Sequence, residues 1–402
     1  MRWQPAFACV FVIVWFGTSG ASAQISDNVV RIGVMNDQSG LYADLGGPGE
    51  VTAARMAAED AGGSVLGKPI EIVAADHQNR PDIGGAIARR WFESEGVDMA
   101  TGFDNSSVAL AVEQLAAQDN RIAIAGAVGT TAFTGKACTA NEASWLYDSY
   151  ALTTSLARSI VAAGQDTWFF ITVDYAFGHS MEADASAAVQ AAGGKVLGSV
   201  RHPLNTSDFS SYLLQAQGSG AKVVAFANGG GDMVNAVKQA NEFGLSKKQN
   251  MVALLVFISD VHSMQLQAAQ GLKFVTGFYW DRDDETRAWS KRFFDKQGRM
   301  PTMAQASVYS AVRHYIASVK AAGTDEAKAV MAKMRELPVN DFYVRNGHVR
   351  QDGRLVHDML FVQVKTPTES KGPWDYYKIL GVIPGDQAFR PLADAGCPLV
   401  PH

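Results

Sequence analysis

The sequence predicts an α/β protein built from mainly parallel sheets, arranged as two similar lobes. Three observations carry this reading. From residue 29 to residue 125, short apolar runs alternate with stretches whose apolar residues recur at helical spacing, the pattern of a parallel sheet covered by helices. The same alternation restarts at residue 151. Finally, Val97 to Ser107 echoes Lys222 to Gly231 in layout: a strand, a small polar loop, then a helix with an Ala/Val-rich face.

Each element has a local reason. In the first half, strands are expected at 29–35, 70–75, 97–101 and 121–125, with helices at 50–61, 81–95 and 108–118. Pro48 suits the first position of a helix, where its missing N–H costs nothing. In the second half a helix at 151–163 precedes a strand of bulky residues at 168–173, and the helix at 180–192 is closed by Gly193-Gly194, a sound C-terminal stop. The next strand is expected at 195–200, and Ser207-Asp208 caps the helix after it. A strand at 223–227, a helix at 232–243 and strands at 251–257 and 274–278 complete this half. Long helices return at 289–296, 304–322 and 326–336. The remainder reads as β-rich, with Asp352-Gly353 as a hairpin turn.

Composition bounds the function. A chain of 402 residues suggests two or three domains. With 47% hydrophobic and 19% charged residues it is an ordinary folded composition. A formal net charge of −5 argues against nucleic acid as a partner. The first 23 residues have the layout of a secretory signal peptide: Arg2, an apolar run from Ala6 to Phe16, and a small-residue stretch ending in Ala21-Ser22-Ala23. Cleavage is expected after Ala23; a membrane anchor is the alternative, but the run is short for a span. The mature protein is then expected to be periplasmic and soluble. Of three cysteines, Cys9 leaves with the leader. Cys138 and Cys397 are then expected to pair in an oxidising compartment, closing a long loop and contributing about 4–5 kcal/mol in the chain-entropy account. Two buried free thiols are the alternative.

In open α/β sheets, ligands sit beyond the C-terminal strand ends. The residues just past the expected strands include Tyr42 and Leu45; Phe103, Asn105, Ser106 and Ser107; Ala127, Gly129, Thr130 and Thr131; Tyr175 and Phe177; Asn228 and Gly229; and Ser259 with Asp260. Hydroxyls and free N–H groups at helix N-termini suit a carboxylate, and aromatic rings suit an apolar body. Helix capping is the competing reading for any single Ser or Thr. Trp168 reads as core. Enzyme signatures are thin. Leu45 to Gly49 is glycine-rich but lacks the Lys-Ser/Thr ending of a phosphate loop, GxGxxG is absent, and neither HExxH nor GxSxG occurs. No cofactor and no metal are expected. A secreted hydrolase is the alternative of another class and would need a nucleophile paired with a cleft carboxylate or histidine.

Several pieces in order resemble the periplasmic solute-binding proteins of ABC importers, of the branched-chain amino acid (type I, Leu/Ile/Val-binding) family. They are Ile32-Gly33-Val34 with Gln38-Ser39-Gly40, Gly46 before a long helix, Gly67-Lys68-Pro69-Ile70, Asp76 with Pro81, Asn105-Ser106-Ser107, Asp174 to Gly178, and Asp208-Phe209-Ser210. The resemblance implies a periplasmic binding protein-like type I fold: two Rossmann-like lobes joined by three crossovers, closing on a ligand by hinge motion. It places the lobes at 24–147 with 279–354 and at 148–278 with 355–402. It implies a non-enzymatic receptor, a monomer, that delivers a small molecule to an inner-membrane ABC permease. Carboxylate-holding positions fall on Ser106, Ser107, Ala127 and Thr130, an aromatic wall near Tyr175 or Phe177, and packing residues near Tyr42 and Leu45, with Tyr150 a further candidate. One departure matters. Amino-acid binders of this family place an acid after the strand corresponding to 251–257, whereas this chain reads Leu255-Val256-Phe257-Ile258-Ser259. Asp260 is the next residue, and it would supply that acid if it pointed into the cleft. An ammonium buried there without a counter-charge would cost several kcal/mol. With Phe103 and Phe257 added to the aromatic set, an aromatic or similarly hydrophobic carboxylic acid is the favoured ligand, and an amino acid or amide the alternative.

Overall fold

The structure is a computed structural model that describes residues 25–401 together with Met1 and Trp3. The expected leader and its cleavage site therefore lie outside the described residues, Met1 and Trp3 apart. Among the described residues no helix is long and apolar enough to cross a membrane.

The first half runs β1 (Val30–Asn36), α1 (Gly47–Asp60), β2 (Ser64–Val65), β3 (Lys68–Asp76), α2 (Pro81–Glu93), β4 (Met99–Gly102), α3 (Ser106–Gln118), β5 (Ile122–Ala125) and β6 (Glu142–Ser144). These strands form one six-stranded sheet in the order β2-β3-β1-β4-β5-β6, parallel except for the short β2. The order reverses around β1, so the loops after β1 and β4 diverge and leave a crevice between them. β1 is buried on both faces apart from the half-buried Arg31, as its largely apolar sequence requires. Its Gly33 is where Trp91 of α2 crosses the sheet: a Cβ there would stand 2.4 Å from the indole.

The second half runs α4 (Ser149–Ala162), β7 (Thr167–Val173), α5 (Ala176–Ala191), β8 (Lys195–His202), α6 (Ser210–Gly218), β9 (Val223–Ala227), α7 (Gly230–Glu242), β10 (Asn250–Ala253), α8 (Ile258–Ala269) and β11 (Lys273–Thr276). A parallel four-stranded sheet has the order β10-β9-β7-β8. Trp168 is fully buried in it, as expected. The apolar run at 251–257 is not one strand. β10 stops at Ala253, and Phe257 begins α8 because the Asp260 side chain accepts the Phe257 N–H at 2.8 Å. The run is buried, which gives it the look of a strand, but the cap bends it. β11 likewise leaves this sheet and joins an antiparallel one.

The chain finishes with α9 (Asp284–Gln297), α10 (Met303–Ala322), α11 (Ala327–Glu336), β12 (His348–Val349), β13 (Leu355–Val356), β14 (Met359–Val364), β15 (Tyr377–Ile383) and α12 (Gly385–Ala388). β12 and β13 form the expected hairpin, with Gly353 at φ +80° in its turn. The order β11-β14-β15 makes a third sheet. Segments 144–148, 277–279 and 354–357 lie against one another. The Arg354 guanidinium reaches the carbonyls of Ser144, Leu146 and Tyr147 and pairs with Asp148 at 3.3 Å. His357 Nε2 sits 2.9 Å from the Leu146 carbonyl. Cys138 and Cys397 are joined by a disulfide, fastening the C-terminal segment to the loop after β5.

Candidate ligand cleft

The two main sheets aim the ends of their strands at each other, and a narrow cavity lies between them. The loop after β1 enters first. Asp37 accepts the N–H groups of Gly40 and Tyr42, each at 2.8 Å, and this turn carries Tyr42 and Leu45 to the cavity wall. The loop after β4 supplies Asp104 and, at the first position of α3, Ser106. The Ser106 hydroxyl accepts the Thr130 N–H at 3.3 Å, leaving its own proton to donate. Ala127 and Gly129 come from the loop after β5, and Tyr147 precedes α4. The second half contributes Tyr175 and Phe177 around the start of α5, Gly229 before α7, and Leu255 after β10.

Direct contacts hold the halves together over this cavity. The hydroxyls of Tyr42 and Tyr175 are 2.8 Å apart, and those of Thr130 and Ser180 are also 2.8 Å apart. Gly230, at φ +56°, seats Tyr42: a Cβ there would be 2.8 Å from the Tyr42 ring. Gly129 plays the same part for Phe177, whose ring atoms would be 2.5 Å from an added Cβ.

Burial dominates the electrostatics. It pushes the phenols of Tyr42, Tyr147 and Tyr175 above their ordinary range, so all three stay protonated at neutral pH. Burial, with the negative charge of Asp37 added, pushes the Asp104 carboxyl up to about 7. Among the described residues no lysine, arginine or histidine lines the cavity. The arrangement therefore presents neutral donors and ring faces to the cavity.

Of the residues singled out from sequence, Tyr42, Leu45, Ser106, Ala127, Gly129, Tyr175, Phe177 and Gly229 line the cavity together. The others do not, each for a stated reason. Phe103 adopts φ +60° and turns into the fully buried layer beneath α2 and α3. Asn105 caps α3, accepting the N–H groups of Ser107 and Val108 at 2.9 and 3.2 Å, and Ser107 is spent in the same cap. Thr130 faces outward, to Ser180. Tyr150 is the second residue of α4, two past the Asp148 cap, and stacks under Arg390 at 5.0 Å. Asn228 is buried against His202 at 3.1 Å. Phe257 stands behind the wall, edge-on to Tyr147 at 6.3 Å. Asp260 caps α8 and does not line the cavity. Sequence reasoning missed Asp104, Tyr147 and Leu255 as wall residues. Asp104 was the legible one, since it sits between two residues of the same strand-end loop.

An enclosed site between two parallel α/β sheets, walled by strand-end loops from both, defines a two-lobe ligand-binding protein. The sequence pattern of the periplasmic binding protein family matches residues 29–373, and the chain belongs to that family. Among curated relatives, Leu/Ile/Val-binding protein homolog 6 of Brucella melitensis biotype 1 is 30% identical over 227 residues, 56% of this chain and 57% of that protein. The match thus spans little more than half the relative's length. A periplasmic binding protein from Burkholderia mallei superposes with a TM-score of 0.91 at 46% identity, covering 92% of this chain and 99% of that one. A branched-chain amino acid ABC transporter periplasmic ligand-binding protein from Burkholderia xenovorans LB400 does so at 0.82 and 40%, with the same coverage. A solute-binding protein of a Rhodopseudomonas palustris ABC transporter, in complex with benzoate, shares the fold at 0.81 and 21%, covering 92% of this chain and all of that one.

Proposed function

We propose that this chain is the periplasmic receptor of an ABC importer, a non-catalytic protein that clamps a small organic carboxylate between its lobes and presents it to an inner-membrane permease. The favoured ligand is an aromatic or similarly hydrophobic acid. The observation that carries this reading is the cavity wall itself. The Ser106 hydroxyl at the N-terminus of α3 and the backbone around Ala127 and Gly129 form a neutral donor end for a carboxylate. Tyr42, Tyr147, Tyr175, Phe177, Leu45 and Leu255 form an apolar and aromatic body around it. The free space left inside the wall is only about 10 Å³, about that of one water, so the lobes must part to admit the ligand. Leu255 occupies the part of the wall after β10, where an ammonium-holding acid would be needed, and Asp260 is engaged in capping. The partition into lobes at 24–147 with 279–354 and 148–278 with 355–402 belongs to the same proposal. The packing of α10 on α1, and of β14 on β11, supports it.

A second reading, an amino acid, is favoured by one observation: Asp104 places a carboxyl in the same wall. Thermal-shift screening of the mature protein tests both, with benzoates, cinnamates, short aliphatic acids and branched-chain amino acids. A micromolar ligand at millimolar concentration adds about 4 kcal/mol of stability, a shift of several degrees. If only amino acids raise the melting temperature, the hydrophobic-acid reading is wrong.

A further inference from the structure

Asp104 does not stand alone. Behind it, on the first turn of α1, lies Glu50, fully buried. The two carboxyls adjoin, and glycines make room for them. A Cβ on Gly46 would lie 2.4 Å from Asp104 Oδ2, and one on Gly102 would lie 2.9 Å from Glu50 Oε2. Asn36 donates to Glu50 Oε2 at 2.9 Å. Among the described residues no side chain other than the pair itself donates to Glu50 Oε1 or to either Asp104 oxygen, all three buried, and the backbone N–H groups of Asp37 and Gly47 lie toward Asp104. The groups facing the pair are Asn36 and Asp37 from β1 and its loop, Gln305 of α10 beside Gly46, and the hydroxyls of Tyr147 and Tyr175. Apart from these phenols, which are neutral, the titratable member of that set is an acid, and among the described residues no cation lines the same wall. Two adjoining carboxyls removed from water cannot both ionise under those conditions. The hydrogen between them is one the pair carries itself. Asp104 is more than nine-tenths buried and faces the cavity.

We propose that the Asp104–Glu50 pair is a protonated hydrogen-bond donor to an oxygen of the ligand, and that it selects carboxylates lacking an ammonium group. This rests on the carboxylate reading of the cleft and deepens it. An ionised pair would repel a carboxylate held in the same small cavity, whereas a protonated pair adds a donor to the neutral set already there. Binding at a pH where the pair has ionised must then draw one proton from solvent into the complex, onto a carboxylate oxygen of the pair. The burial that pushes both carboxyls up favours the protonated form.

Isothermal titration of the mature protein separates the outcomes. Matched ligands are 3-phenylpropionate against phenylalanine and isovalerate against valine, each measured from pH 6 to pH 9 in buffers of different ionisation enthalpy. The proposal expects the acid without the amine to bind at least tenfold tighter, with proton uptake and affinity falling up to tenfold per pH unit once the pair ionises. D104N, which keeps a donor but cannot ionise, flattens the pH profile and abolishes the proton uptake, whatever its affinity at pH 6. E50Q, checked alongside D104N by thermal unfolding, reads the same slope if D104N does not fold. Tighter binding of the amino acids, with proton release and loss of that binding in D104N, overturns the proposal while leaving a carboxylate receptor. If no carboxylate of either kind binds wild type, the carboxylate reading falls and takes this inference with it.

Discussion

At the scale of single residues, the site depends on what is missing as much as on what is present. Gly129 is a wall residue because Phe177 needs the space a methyl would take. Gly129→Ala is expected to push the Phe177 ring into the cavity or to hold the halves apart. Overpacking of this kind costs about 1–3 kcal/mol, so the ligand dissociation constant should rise about fivefold or more, measured by titration calorimetry. A wild-type affinity in the variant would show that the ring is not confined as described. The same scale explains what sequence could reveal. Eight wall residues are legible because they lie just past strands and most carry hydroxyls, rings or bare backbone. Phe103 stands out in the sequence and Asp104 does not, yet a left-handed φ at Phe103 accompanies a ring turned into the core and a neighbour that reaches the cavity. A non-glycine residue in that conformation is uncommon, and nothing in side-chain type announces it. Tyr150 stands out in the sequence where Tyr147 lines the wall, because the choice between them turns on where Asp148 starts α4.

At the scale of elements, alternation of strand and helix is legible almost throughout, since buried parallel strands write themselves as apolar runs. It fails at 251–257, where a buried apolar run is partly strand and partly helix entrance, and Asp260 decides the division. Another buried acid pair links α3 to β6: Glu113 and Glu142, both fully buried. Burial pushes Glu113 up to about 8 from an ordinary 4.5, and burial together with Glu113 pushes Glu142 higher. Between about 4.5 and about 8 the folded protein holds a proton that the unfolded chain has released, so stability falls as pH rises. For one proton the slope is about 1.4 kcal/mol per pH unit. Glu113→Gln removes one such group and should flatten the decline by up to that amount while leaving acid stability nearly unchanged. Urea unfolding at a series of pH values measures it, and an unaltered slope would mean that both carboxyls ionise freely in the fold.

At the scale of the whole molecule, the chain passes between its halves where Arg354 and His357 bind the carbonyls of segment 144–148, and the Cys138–Cys397 bridge fastens the C-terminal segment across 259 residues of sequence. These ties fix the rear of the cleft. The front is closed by thinner means: the Tyr42–Tyr175 and Thr130–Ser180 hydroxyl pairs and the fit of Tyr42 over Gly230. Such contacts form only when the lobes meet, so they add to closure and not to the stability of either lobe. Removing one neutral hydrogen bond costs about 0.5–1.5 kcal/mol. Tyr175→Phe should therefore weaken ligand binding by about two- to tenfold, chiefly through faster release, since differences among variants of one interface fall mostly on the dissociation rate. Its unfolding temperature without ligand should stay near wild type, because the ring remains and each lobe keeps its own core. Small-angle scattering should show a more extended unliganded shape, as the balance of open and closed forms shifts away from closure. If release is unchanged and the scattering curves coincide, the phenol pair is a bystander, and closure is carried by the Thr130–Ser180 contact and by the ligand bridging the two walls.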